Sequence, residues 1–169
     1  MADLTLRHEL DCNAETYWSK CAFDPEFNRR LFFEELKFRS YELLEHKDLA
    51  DSIVRRVKAE PQTPNLPGPV KKVLGDSFGY TEEGTFDKKT QRYSFRTIPA
   101  AFPDKVKIQG SMICEPLGDK RVTRIAQMHV EAHVFMIGRM VEDRIVVDIQ
   151  HSYAKAAELT NAWVKERGY

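Results

Sequence analysis

The chain has 169 residues, with 26 Lys and Arg balanced by 26 Asp and Glu, 31% charged and 42% hydrophobic side chains. That length suits one domain with a sizeable core, and the apolar content excludes a disordered chain. Zero net charge removes the basic excess that a nucleic-acid partner calls for, and no apolar run reaches the ~20 residues of a membrane-spanning helix.

From the N-terminus, Leu4, Leu6 and His8 alternate with Thr5, Arg7 and Glu9, a period of two that predicts a strand ending near Asp11. Its charges at Asp3, Arg7 and Glu9 are unlike the apolar core of a signal peptide, so the protein is expected to stay where it is made. Asn13 is placed to cap a short helix running from Thr16 and Tyr17 through Trp18, Cys21 and Ala22. Asp24-Pro25-Glu26 opens a second, with Phe27, Leu31 and Leu36 or Phe32 at helical spacing.

From Phe38 the texture changes to strands separated by polar or Gly/Pro turns: Phe38 to His46, Ser52 to Glu60, Phe78 to Asp87, Gln91 to Ile98, Val106 to Glu115 and Val122 to Phe135. Between the second and third, Pro61 to Pro69 holds four prolines. These fix φ and remove donors, so a rigid loop is expected there, followed by a short helix from Val70 to Leu74. Met136 to Arg167 lacks proline and carries Ile137, Met140 or Val141, Ile145, Ile149, Tyr153, Ala156 and Trp163 in steps of three and four. A helix of that length spans about 45 Å and needs a partner surface as long, which the meander supplies. The order strand, two helices, six strands, long helix predicts an α+β fold.

Cys12, Cys21 and Cys114 are odd in number and lack zinc-site spacing, so reduced thiols in a cytoplasmic protein are expected. His129, Glu131 and His133 share one face of the last strand, which is a spacing metal ligands use. The opposite face, Ala126, Met128, Val130, Ala132 and Val134, is apolar and is expected to meet the helix, which leaves the His/Glu face to solvent with no metal. No nucleophile elbow, catalytic cysteine motif or phosphate-binding glycine loop is present, and no cofactor is expected. Nothing in the sequence sets an oligomeric state.

The junction His129 to Glu142 and the segment Pro64 to Asp76 resemble those of an uncharacterised bacterial family of the START-like (SRPBCC, helix-grip) superfamily. In those relatives a Val-Glu pair leads into a Pro-Leu-x-Gly turn, and a Glu closes the first helical turn. Here Phe135-Met136 stands in place of Pro-Leu. The junction is more distantly similar to sterol-binding VASt domains. The resemblance implies a curved antiparallel sheet of about seven strands gripping the C-terminal helix, with a cavity for an apolar small molecule, a lipid or a sterol-like ligand between them.

The lining candidates are the apolar strand residues Phe38, Ile53, Val57, Phe78, Tyr80, Phe86, Tyr93, Phe95, Ile108, Met112, Cys114, Met128 and Val130, with Ile137, Val141, Ile145 and Ile149 from the helix. The same side chains can equally fill a solid core. Tyr80, Tyr93, Thr97 and Cys114 are the candidate polar handles, and Trp at Ile145 or Met112 is expected to fill the cavity. Arg55-Arg56-Val57-Lys58 and Lys71-Lys72 are expected on solvated faces and offer transient contact with an anionic membrane surface, while Phe32-Phe33, Leu66 and Phe102 are candidates for a pocket mouth or membrane contact but are rather expected to be buried. Binding or transport is the first functional expectation. A cyclase- or dehydratase-like enzyme, which needs an inward-facing His, Asp or Glu of which the sequence offers no clear one, and a ligand-free interaction module are the alternatives.

Overall fold

The computed structural model describes residues 1–62, 66–74 and 78–169. The middle of the expected proline loop, Thr63 to Asn65, and the stretch Gly75 to Ser77 lie outside them. Seven strands form one antiparallel sheet: β1 (Ala2–Leu10), β2 (Ser40–Asp48), β3 (Ser52–Glu60), β4 (Tyr80–Asp87), β5 (Arg92–Pro99), β6 (Val106–Pro116) and β7 (Val122–Ala132). Their spatial order is β1-β7-β6-β5-β4-β3-β2. After β1 the chain crosses to the far edge through two short helices and returns strand by strand, with a third short helix between β3 and β4, until β7 lies beside β1.

The helices form where the local chemistry specifies them. Asn13 accepts from the Thr16 amide at 2.9 Å and caps α1 (Ala14–Tyr17), while Asp24 accepts from the Phe27 amide at 2.8 Å and caps α2 (Pro25–Arg29) with Pro25 in its first turn. Each passes into a wider π-helical turn, Trp18–Ala22 and Arg30–Glu35, which a search for 3.6-residue periodicity does not anticipate. The short α3 (Gly68–Leu74) follows the proline loop.

The long helix α4 runs from Gly138 to Arg167 and lies chiefly across β1, β7 and the turn Arg30–Glu35. Of the two candidates Met140 and Val141, Val141 is the buried one. The expected boundary at its start is corrected. β7 stops at Ala132, and Phe135 and Met136 stand outside the reversal, with Met136 at φ 64°. Gly138 explains the break, because a Cβ there would meet the Ala132 carbonyl oxygen at 2.4 Å. The first turn of α4 therefore rests directly on the strand end, and the chain must leave the strand early to reverse so tightly.

Two buried clusters hold helix and sheet together. One gathers Trp18, Phe27, Phe86, Tyr93, Met112 and Trp163, and the other Val70, Val106, Val130, Val134, Ile137 and Val141. Because α4 covers mainly β1 and β7, and the Trp18 turn covers β4 and β5 only at Phe86 and Tyr93, the part of their inner faces around Tyr80, Glu82 and Thr97 is left without a helix directly over it.

Candidate ligand-binding cavity

A cavity of about 330 Å³ occupies that uncovered region, within the range of small-molecule sites. Nine of the lining candidates border it: Phe38, Phe78, Tyr80, Phe95, Ile108, Met128, Val141, Ile145 and Ile149. The other eight do not. Phe86, Tyr93 and Met112 are buried in the Trp18 cluster, with Ile53 and Cys114 packed against it. Val130 and Ile137 belong to the Val70 cluster, and Val57 is buried in β3. Period two reports which face of a strand turns inward but not the height along it, and the aromatic residues of the α1–α2 region fill the lower half solidly. Met112 illustrates the correction: its sulfur lies 3.7 Å from the Tyr17 hydroxyl, inside packed protein.

The polar end of the cavity centres on Glu82, which sits in the inward register of β4 between Tyr80 and Gly84. The Tyr93 hydroxyl donates to Glu82 Oε1 at 2.9 Å. It reaches that far because its ring lies across Gly84, where a Cβ would sit 2.0 Å from the hydroxyl oxygen. Burial pushes the Glu82 carboxyl above the usual range against the opposing pull of Arg55 and the Tyr93 bond. Arg55, expected on a solvated face, instead points inward. It donates to the Tyr41 hydroxyl at 2.6 Å, the Ala22 carbonyl at 3.2 Å and Asn28 Oδ1 at 3.4 Å. Tyr80 and Tyr153 add two phenols to the cavity wall whose hydroxyls no described residue engages, and burial holds both well above the usual phenol range.

Tyr153 is backed by Arg124, a charge on the apolar face of β7 that is only 2% exposed. Its guanidinium donates to the Tyr153 carbonyl at 2.8 Å, lies 5.1 Å from the Tyr153 ring centre and contacts His8 Nδ1 at 3.2 Å. Burial first, then Arg124, lowers the pKa of His8. On α4, Arg144, Asp148 and His151 also line the cavity, with Arg144 Nε donating to Asp148 at 3.0 Å. Their spacing of four and three continues alongside the apolar row Val141, Ile145 and Ile149, a signal present in the sequence but readable only once that row is known to face a void.

His129 pairs with Asp3 at 2.8 Å and His133 with Glu131 at 2.7 Å on the outer face of the sheet. Cys12 and Cys21 are buried free thiols, raised by burial to about 11 and about 12, and Cys114 is raised to about 12. No described helix is long and apolar enough to cross a membrane.

A family model described as "Protein of unknown function (DUF2505)" matches residues 5–164. No curated protein matches the chain in sequence. Similar solved structures include a START superfamily protein from Mycobacterium smegmatis, at 16% identity over 96% of this chain and 98% of that one, with a TM-score of 0.62. The Zhui aromatase/cyclase from Streptomyces sp. R1128 shows 11% identity over 99% and 96%, with a TM-score of 0.67. A point mutant of norcoclaurine synthase from Thalictrum flavum shows 14% identity over 99% and 96%, with a TM-score of 0.68. At these identities the likeness establishes the START-like helix-grip fold and nothing of activity.

Proposed function

We propose that this chain, which belongs to the DUF2505 family, binds a small hydrophobic molecule in the cavity between sheet and α4, as a carrier or receptor of a lipid or sterol-like ligand. The single observation that carries the reading is an apolar hollow on whose wall the hydroxyls of Tyr80 and Tyr153 have no hydrogen-bond partner among the described residues. Phe38, Phe78, Phe95, Ile108 and Ile145 offer the apolar contact, while the hydroxyls of Tyr80 and Tyr153 offer donors that a buried ligand must satisfy. Glu82 beside them disfavours a ligand carboxylate and favours a neutral hydroxyl or carbonyl end. Three free cysteines support a reducing, cytoplasmic setting.

Native mass spectrometry of protein purified without detergent tests this directly. An apolar adduct is expected on the natural chain and is expected to vanish in Ile145→Trp, whose ring occupies the hollow. An adduct of equal abundance in both proteins would remove the cavity from the explanation.

A second reading is supported by Glu82 itself. A buried carboxyl raised above its usual range, bonded to Tyr93 and facing a cavity, has the environment of a general acid. Two of the similar structures are named as an aromatase/cyclase and a norcoclaurine synthase. This reading requires a bound small molecule to be turned over, and Glu82→Gln to bind it undiminished without turnover.

A further inference from the structure

We propose that the reversal between β7 and α4 is a membrane-docking tip that inserts Phe135 and Met136 into an anionic lipid surface, whatever the cavity holds. These side chains are 87% and 86% exposed, the most exposed large apolar residues among those described. They are adjacent, and Met136 sits at φ 64°, a left-handed conformation that a residue with a Cβ adopts at a cost. The backbone thus holds an apolar side chain outward where a glycine would sit unstrained. Beneath the tip, Val134 and Ile137 are buried against Val70, Val106 and Val141, so the two exposed side chains stand on a rigid base.

Three cations stand near the base of the tip. The His133 amide donates to the Lys105 carbonyl at 2.7 Å, which places Lys105 beside the reversal. Lys107 faces Glu131 across the β6–β7 ladder, and Arg139 lies in the first turn of α4. All three are exposed, and none forms an ion pair among the described residues. Of the nearby carboxylates, Glu131 contacts the His133 ring and Glu142 pairs with the Met1 amino group and accepts from the Ala132 amide, leaving Asp104 and Asp143 as exposed acids of this end among the described residues. A narrow apolar point with three cations and two exposed acids near its base fits the boundary of a bilayer, where apolar side chains enter the acyl region and cations meet phosphates. A second protein would have to offer a recess matched to the point. The base of the tip also belongs to the cluster containing Phe78, Ile108 and Ile145, so docking would bring the apolar wall of the cavity close to the lipid.

The test is sedimentation of the full chain with vesicles of phosphatidylcholine alone and of phosphatidylcholine mixed with phosphatidylserine. Binding to the mixed vesicles is expected, weakened by added salt. The double substitution Phe135→Ser/Met136→Ser, at two exposed positions, is expected to weaken it about tenfold or more with thermal unfolding unchanged. Lys105→Glu/Arg139→Glu should abolish the preference for anionic vesicles. The proposal is overturned if the natural chain stays in the supernatant with both vesicle types, or if the serine variant binds as well as the natural chain. It is equally overturned if sedimentation equilibrium shows a dimer that the serine substitutions dissociate, because the tip is then the seat of a second copy. A cavity found empty of ligand would count against the carrier reading and leave this result untouched.

Discussion

Glu82 is set between a phenol that donates to it and a guanidinium that attracts it, yet burial outweighs both and its carboxyl titrates above the usual range. An unfolded glutamate titrates near pH ~4.3, so the folded state binds this proton more tightly than the unfolded state does. The stabilisation is therefore complete below that pH and is lost as pH rises through the raised folded value. Glu82→Gln keeps a carbonyl to accept the Tyr93 hydroxyl and cannot ionise. Its unfolding temperature is expected to match that of the natural chain at low pH and to exceed it increasingly toward neutral and alkaline pH, as read by thermal unfolding across a pH series. A natural chain that gains on the variant with rising pH would mean that Arg55 dominates instead. No inward acid stands out in the sequence, and Glu82 is not among its candidates. Period two puts Glu82 on the same face as Tyr80 and Phe86, but only the neighbouring strands show that this height of the face borders a void rather than packed core. Gly84 belongs to the same arrangement. Gly84→Ala is expected to displace the Tyr93 ring, break its bond to Glu82 and destabilise by about 1–3 kcal/mol in denaturant unfolding.

At the scale of elements, the β7–α4 junction connects the sheet to the helix that covers it. Gly138 brings the helix onto the strand end, and Glu142 one turn later accepts from the Ala132 amide at 2.8 Å. Gly138→Ala has to push α4 off Ala132 and is expected to lose about 1–3 kcal/mol in denaturant unfolding. Glu142→Ala leaves a buried amide without a partner and is expected to lose a similar ~1–3 kcal/mol, with Glu142→Gln losing less because its carbonyl can still accept. Both residues lie in the motif that carried the family resemblance, so the motif has a mechanical reason. The seven strands and four helices were legible because alternation, capping residues and prolines each act locally. Local pattern failed at three kinds of place. The π-helical turns Trp18–Ala22 and Arg30–Glu35 depart from the assumed period, and the apolar Phe135 and Met136 read as strand and helix although a contact at Gly138 expels them. Arg55 and Arg124 point inward because tertiary partners, Tyr41 and the Tyr153 carbonyl, outweigh the preference of charge for water.

For the whole molecule, the hollow follows from how one helix covers a sheet wider than itself. α4 is secured at both ends, by Trp163 and Leu159 in one cluster and by Val141 and Ile145 in the other, and between them Ile149 and Tyr153 stay only partly buried beside the void. Stability resides in the two clusters and ligand recognition in the gap, so the two are expected to respond separately to the same kind of substitution. Met112→Trp adds volume inside the Trp18 cluster, where Tyr17, Phe86 and Tyr93 leave no space. It is expected to lose about 1–3 kcal/mol in urea unfolding. Ile145→Trp directs bulk into the cavity but also disturbs the second cluster, to which Ile145 belongs, and is expected to lose less than Met112→Trp because the void takes up part of the ring. A neutral apolar probe at a hundredfold excess over its dissociation constant raises the stability of a single-site binder by about 2.7 kcal/mol. That increment is expected in the natural chain and to be missing from Ile145→Trp. Met112→Trp, though weakened, should retain it, since its altered residue lies outside the cavity. If the probe stabilises Ile145→Trp as fully as the natural chain, the binding site is elsewhere and the separation of support from recognition fails with it.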